Sequence, residues 1–219
     1  MREHGMPFRP DMAAALRNGM KTQHRIPIAW MGYEDRAEHP DIHAAPYFTD
    51  DPDLGWTLYS RKGGATWNAL TLPTICPWRA GDRIYVREDF QPDLGRQDHN
   101  LVWYKSDYSL WEIEKRDGIY HSKDTGIVAE DGHQFWWARA ENMKPWAART
   151  WLEITDIRAQ RIQEISADEA AAEGFPPGHP AGPIHWLWGI LEDIYPGCVD
   201  RNDWFWVLDL KLIEKGGAE

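Results

Sequence analysis

The sequence predicts an α+β fold in which strands and a few short helices are built on a small β-barrel, with two sizeable insertions. Two alternating runs, over 150–162 and 204–213, carry the period-two pattern of long strands. Three helix-forming runs are each closed by a stop signal, at Gly19, at Gly174 and at Pro196-Gly197. A length of 219 residues, 42% hydrophobic and 27% charged, is that of one globular domain spanning 1–219 with extra segments.

Taken in order, Asp11 is placed to cap a helix over 11–18, where Met12, Ala13, Ala14, Ala15 and Leu16 favour helix and Gly19 stands just past the end. The chain then extends through 25–30. A stretch over 31–78, rich in Gly, Pro, Asp and His, reads as irregular. Gly81-Asp82 is a turn feeding the alternating strand Arg83-Ile84-Tyr85-Val86-Arg87-Glu88. Further strands are expected at 101–104 and 134–137, and the mostly polar segment 107–132 between them reads as an insertion rather than core. After the strand over 150–162, Ser166 and Glu169 form a capping box that opens a helix through Ala170, Ala171 and Ala172. A last helix is expected over 185–195. The last strand, over 204–213, has Trp204, Trp206, Leu208, Leu210 and Leu212 on one parity.

Fourteen tryptophans cluster in pairs, such as Trp103 with Trp111 and Trp146 with Trp151. They suit both an aromatic-rich core, the expected role of most, and a pocket for a flat base. The net charge of −11, with a pI near 5.3, disfavours a long polyanionic partner, because phosphate binding needs a basic footprint. Cys76 and Cys198 are too few for a disulfide framework or a zinc–cysteine site. His39 and His43 flank Asp41 at a metal-like spacing, but Pro40 disturbs a helix there and no third ligand is evident. Neither a metal nor a cofactor is therefore expected. Residues 1–11 carry no secretory apolar segment and no apolar run approaches about twenty residues, so the expected location is cytoplasmic and no membrane is involved.

The segment 18–25 places Lys21, Thr22, His24 and Arg25 in five residues just past a helix stop. With Gly19, it resembles the opening signature of the ASCH family, of the PUA-like superfamily of small β-barrels: a short helix, then Gly-x-Lys-Thr-x-Thr and an arginine. The Gly81–Glu88 run resembles the family's Gly-Asp turn into a strand. Trp137 and Met143-Lys144-Pro145-Trp146-Ala147-Ala148-Arg149 look like the Trp and Met-Pro-Arg-Trp-Ala-Ser-Arg of larger, phage-type members. Residues 191–197 and 205–213 are similar to the family's closing part. The resemblance covers 7–25, 79–90 and 137–213, leaving 31–78 and 107–132 as insertions.

What the resemblance implies is chemical. Some small ASCH proteins are amidohydrolases that remove the acyl group from N4-acetylcytidine and related N4-acylcytosines, using a lysine and a threonine from the first motif and a glutamate from the helix after the long strand. The lysine falls on Lys21 and the glutamate on Glu173; the threonine position is His24. Three routes stay open: Thr22 serves instead, His24 acts as base toward a water, or amidase activity is lost. Glu173, at the negative end of its helix, is a candidate proton donor to the leaving amine with a raised pKa. Lys21 is a base if desolvation lowers its pKa, or the oxyanion stabiliser if the dipole of the preceding helix keeps it charged. Arg25 orients the site, binds a phosphate or makes a structural salt bridge. Arg87 and Glu88 are candidates to bind the base or to form a structural ion pair, and Trp146 is a candidate to bind substrate. The expected partner is a small modified pyrimidine base or nucleoside. The alternatives are a non-catalytic module binding RNA or a modified base, motivated by His24 and the tryptophans, and a ribonuclease, which the charge disfavours.

Overall fold

The computed structural model describes residues 1–28, 47–51, 55–61, 67–71, 76–92, 101–116, 119–128 and 136–213. Its main sheet has five strands in the order β1 (Glu3–Pro7), β6 (Arg83–Arg87), β11 (Trp151–Arg161), β12 (Trp204–Leu212) and β2 (Gln23–Pro27). β1 runs parallel to β6 and the other pairings are antiparallel. The α+β class stands; among the described residues the sheet is open, with β1 and β2 at its ends.

Alternation fixes which side of β12 meets which layer. Trp206, Leu208 and Leu210 join Ile84, Val86 and Ile154 in a core that takes Ala13 and Leu16 of α1 (Pro10–Arg17). Phe205, of the other parity, packs with Ala170 of α2 (Ala167–Ala172) and with Leu187 and Leu191 of α3 (Gly182–Ile194). The sheet is thus covered on both faces, so Phe205 and Val207 are as buried as Leu208.

The helix ends that have chemistry of their own match the sequence signals. Gly19 and Gly174 both take positive φ, +77° and +96°, in the residue after each cap. Ser166 accepts from the Glu169 backbone N–H while the Glu169 carboxylate accepts from the Ser166 N–H, the full reciprocal box. Asp11 is a correction. The N-cap of α1 is Arg9, because Pro10 takes the first helical position, and Asp11 pairs with Arg9 instead. α3 likewise begins before 185, with Pro183 in its first turn.

Two segments differ from the sequence expectation. Within 31–78 the described residues form a three-stranded antiparallel meander, β3 (Tyr47–Asp51), β4 (Gly55–Arg61) and β5 (Trp67–Thr71). The polar segment 107–132 supplies β9 (Ser109–Arg116) and β10 (Ile119–Val128), which continue a meander from β7 (Phe90–Pro92) and β8 (Leu101–Tyr104). That segment also contributes core, since Leu110 and Ile113 are buried. Polar composition misled here because a hairpin strand needs only one apolar face. Trp136 and Trp137 form no strand; Ala138 makes a single bridge to Phe90, and two 3-10 turns, Ala140–Asn142 and Pro145–Ala147, follow at once. Gln134, Phe135, Ala29, Trp30, and the His39, Asp41 and His43 set lie outside the described residues. Among the described residues no helix is long and apolar enough to cross a membrane, and no group of three metal-ligating side chains is found.

Candidate active site

Three elements converge on one buried carboxylate. Glu173 is the C-cap of α2; Lys21 follows the end of α1, its backbone N–H donating to the Ala15 carbonyl at 3.0 Å; Arg25 lies in β2. Backbone contacts hold the junction. Lys21 and Glu173 form an isolated antiparallel bridge, and Thr22 N–H donates to the Ala172 carbonyl at 2.7 Å. Gly174 allows the fit: its φ suits glycine, and a Cβ there would stand 3.2 Å from the Cβ atoms of both Ala15 and Lys21.

Lys21 Nζ donates to Glu173 Oε2 and, at 3.1 Å, to the Glu173 carbonyl; Arg25 Nη1 donates to Glu173 Oε1 at 2.9 Å. The side chains of Lys21, Arg25 and Glu173 are 1%, 1% and 4% exposed. An ammonium has three N–H donors, so one on Lys21 is left over from these two bonds. Arg25 Nη2 donates to Gln160 Oε1 at 2.8 Å, and Arg25 Nε, also buried, finds no partner among the described residues. Gln160 Nε2 reaches both oxygens of Glu169, which also accepts from Arg158 at 2.8 Å. The capping-box glutamate therefore belongs to the shell behind Arg25.

Electrostatics correct the role expected of Glu173. Burial alone would raise its pKa, but the Lys21 charge first, and the Arg25 guanidinium with it, holds the carboxyl below its ordinary range. It is a carboxylate, not a standing proton donor, because its neighbours are cations rather than aromatic carbon. Burial lowers the Lys21 pKa, with Glu173 opposing and Arg25 assisting. His24 is half-buried with its ring 4.8 Å from that of Phe8. Burial, then the Lys21 charge, pushes its pKa down to about 3, so it is neutral in ordinary buffer. Thr22 is exposed, and its backbone is held on both sides, its N–H donating to the Ala172 carbonyl and its carbonyl accepting from Leu210 N–H.

Arg87 and Glu88 do not pair with each other. Arg87 donates to the Tyr85 hydroxyl at 2.9 Å and lies over Gly5, where any Cβ would collide with its guanidinium. Glu88 belongs to a second buried network. Arg149 grips it with Nε on Oε2 at 3.0 Å and Nη2 on Oε1 at 2.8 Å, while Nη1 of Arg149 reaches Asp107 and Ser109, both at 2.9 Å. The Arg149 guanidinium lies 4.0 Å from the Tyr104 ring centre. Trp146 packs with the core of Tyr104 and Trp151 rather than with Lys21. Sequence reasoning missed Gln160, Glu169 and Arg149 as members of these networks. A visible signal existed for the first: Arg158 and Gln160 share the parity opposite buried Ile157 and Ala159.

No family model matches the sequence, and no curated protein matches it. Among solved structures, the crystal structure of an ASCH domain from Lactobacillus crispatus JV V101 is similar, with a TM-score of 0.39 and 10% identity, over 96% of this chain and 79% of that chain.

Proposed function

We propose that the protein is an amidohydrolase that cleaves the N4-acyl amide of an acylated cytosine or cytidine, without metal or cofactor. The single observation that carries this reading is the buried contact of Lys21 with Glu173, 152 residues apart in the chain. A water adds to the amide carbonyl carbon as ionised Glu173 takes its proton. The oxygen that becomes negative meets the remaining N–H of the Lys21 ammonium. The C–N bond then breaks, Glu173 returns the proton to the departing N4, and a carboxylic acid and the cytosine amine leave. In this scheme Arg25 keeps Glu173 ionised and aimed. His24, neutral and packed at a tilt against Phe8, supplies an aromatic wall rather than the base, since a pKa of about 3 is poorly matched to taking a proton near neutrality. Thr22 has no part.

The test is the ultraviolet absorbance of N4-acetylcytidine with purified protein. Wild type is expected to remove the acylcytosine band. Lys21→Ala and Glu173→Gln are each expected to lose at least about a hundredfold in kcat/KM, the usual scale for an oxyanion or proton-transfer group. Full activity in either variant, or none in wild type across acetyl and longer acyl groups, would sink the reading; the second result favours a binding module, for which the closed Lys21–Glu173–Arg25 set is simply a structural ion cluster.

A further inference from the structure

A cleft of about 280 Å³ has Phe8 in its wall, with Pro10, Glu88, Lys105, Ser106 and Tyr108. Its size lies at the lower edge of ordinary small-molecule pockets, about 300–1,000 Å³, so it suits part of one nucleoside and not an oligomer. Glu88, 2% exposed, is the most buried carboxylate of that lining. Oε1 of Glu88 already accepts from Ser106 at 2.9 Å and from Arg149, whereas among the described residues Oε2 accepts from Arg149 alone and retains acceptor capacity. Behind Glu88, Arg149 and Arg17 face Glu88 and Asp107, two cations against two anions. At the rim Lys105 is paired with Asp89 at 3.3 Å, and Asp89 Oδ1 accepts from Ala140 N–H. The lining offers hydrogen-bond acceptors backed by balanced charge, between the apolar faces of Phe8, Pro10 and Tyr108. That chemistry receives hydroxyl donors on a carbon ring and gives no surplus positive charge to a phosphate.

We infer that this cleft seats the ribose of the substrate, with a sugar hydroxyl donating to Glu88 and the sugar carbons against Phe8 and Tyr108, so that the protein selects a nucleoside over a free base or a nucleotide. The inference rests on the amidohydrolase reading. Phe8 is the link, because it lines the cleft and its ring also touches His24, three residues from Lys21. The base then lies along the Phe8–His24 pair, with its acyl end at Lys21.

The experiment compares kcat/KM for N4-acetylcytidine, N4-acetylcytosine and N4-acetylcytidine 5′-monophosphate in wild type and in Tyr108→Ala. Tyr108 is 48% exposed, so this variant leaves the buried network intact, whereas Glu88→Gln strips charge from Arg149. Wild type should favour the nucleoside over both others by about tenfold or more, the worth of one good hydrogen bond with its packing, and Tyr108→Ala should lower the nucleoside value alone. Equal use of nucleoside and free base by wild type, or an equal fall for both in the variant, would overturn the subsite and leave the hydrolase standing. Calorimetric titration with cytidine and cytosine separates the converse case. If nothing is hydrolysed, tighter binding of cytidine that Tyr108→Ala weakens upholds the subsite, and no preference for cytidine overturns it.

Discussion

At the scale of residues, the molecule stores its charge in buried, mutually neutralised sets. His24 has a folded pKa of about 3 against an ordinary 6.5, so between those values the unfolded chain binds a proton that the folded chain refuses. Stability from this group is complete above pH 6.5 and falls as the pH drops toward about 3. Glu169 adds a second acid-sensitive window, from 4.5 to about 2: burial raises it, but bonds from the Ser166 backbone, Gln160 and Arg158 outweigh that. Its contribution is present above the unfolded value and disappears as the pH falls through the folded one. His24→Phe should therefore flatten the loss of melting temperature on acidification down to about pH 4.5, with the Glu169 window below it unchanged. An unaltered slope would show that His24 is as easily protonated in the fold as out of it. Arg149 permits a sharper test. Arg149→Met leaves Glu88 buried beside Ser106 with Arg17, at 3.6 Å, its one remaining cation among the described residues, and should cost about 3–5 kcal/mol in urea denaturation. A cost below about 1 kcal/mol would mean that water reaches Glu88 freely.

Among elements, the critical joint is where the ends of α1 and α2 meet. Gly174→Ala demands a left-handed backbone of a residue with a Cβ and pushes that Cβ onto Ala15 and Lys21. It should destabilise by at least about 1–2 kcal/mol and, by shifting Lys21, lower kcat more than it raises KM. A drop in stability with unchanged kcat would separate the joint from the proposed chemistry. This joint also marks how far the sequence could be read. Gly19, Ser166, Glu169 and Gly174 are visible because caps and turns are dictated locally, and the long strands β11 and β12 because alternation is local too. The contact of Lys21 with Glu173 was anticipated only through a family resemblance, since no local rule joins residues 152 apart. The ionisation of Glu173 was misjudged for the same reason: the dipole of its own helix is readable, while the cations delivered by β2 and the α1 turn are a tertiary fact. β9 and β10 escaped notice because their polar faces dilute the strand pattern.

For the whole molecule, two of its three sheets divide the labour. The five-stranded sheet and its helices hold the Lys21 cluster, while the meander β7–β10 and the turn between β8 and β9 bring Lys105, Ser106 and Tyr108 to the cleft. With a net charge of −11 there is no global attraction for polyanions. Single-stranded RNA oligonucleotides should show no salt-dependent binding in fluorescence anisotropy at low ionic strength, and tight, salt-sensitive binding would return the protein to the class of RNA readers. The span of the Lys21–Glu173 contact has a consequence for biosynthesis. On the ribosome Lys21 emerges 152 residues ahead of its counter-charge, and β2 waits longer still for β12, whose Leu210 N–H donates to the Thr22 carbonyl. A nascent chain ending before Glu173 thus carries every part of the first motif and no assembled centre, so competence would appear late and all at once rather than growing with length.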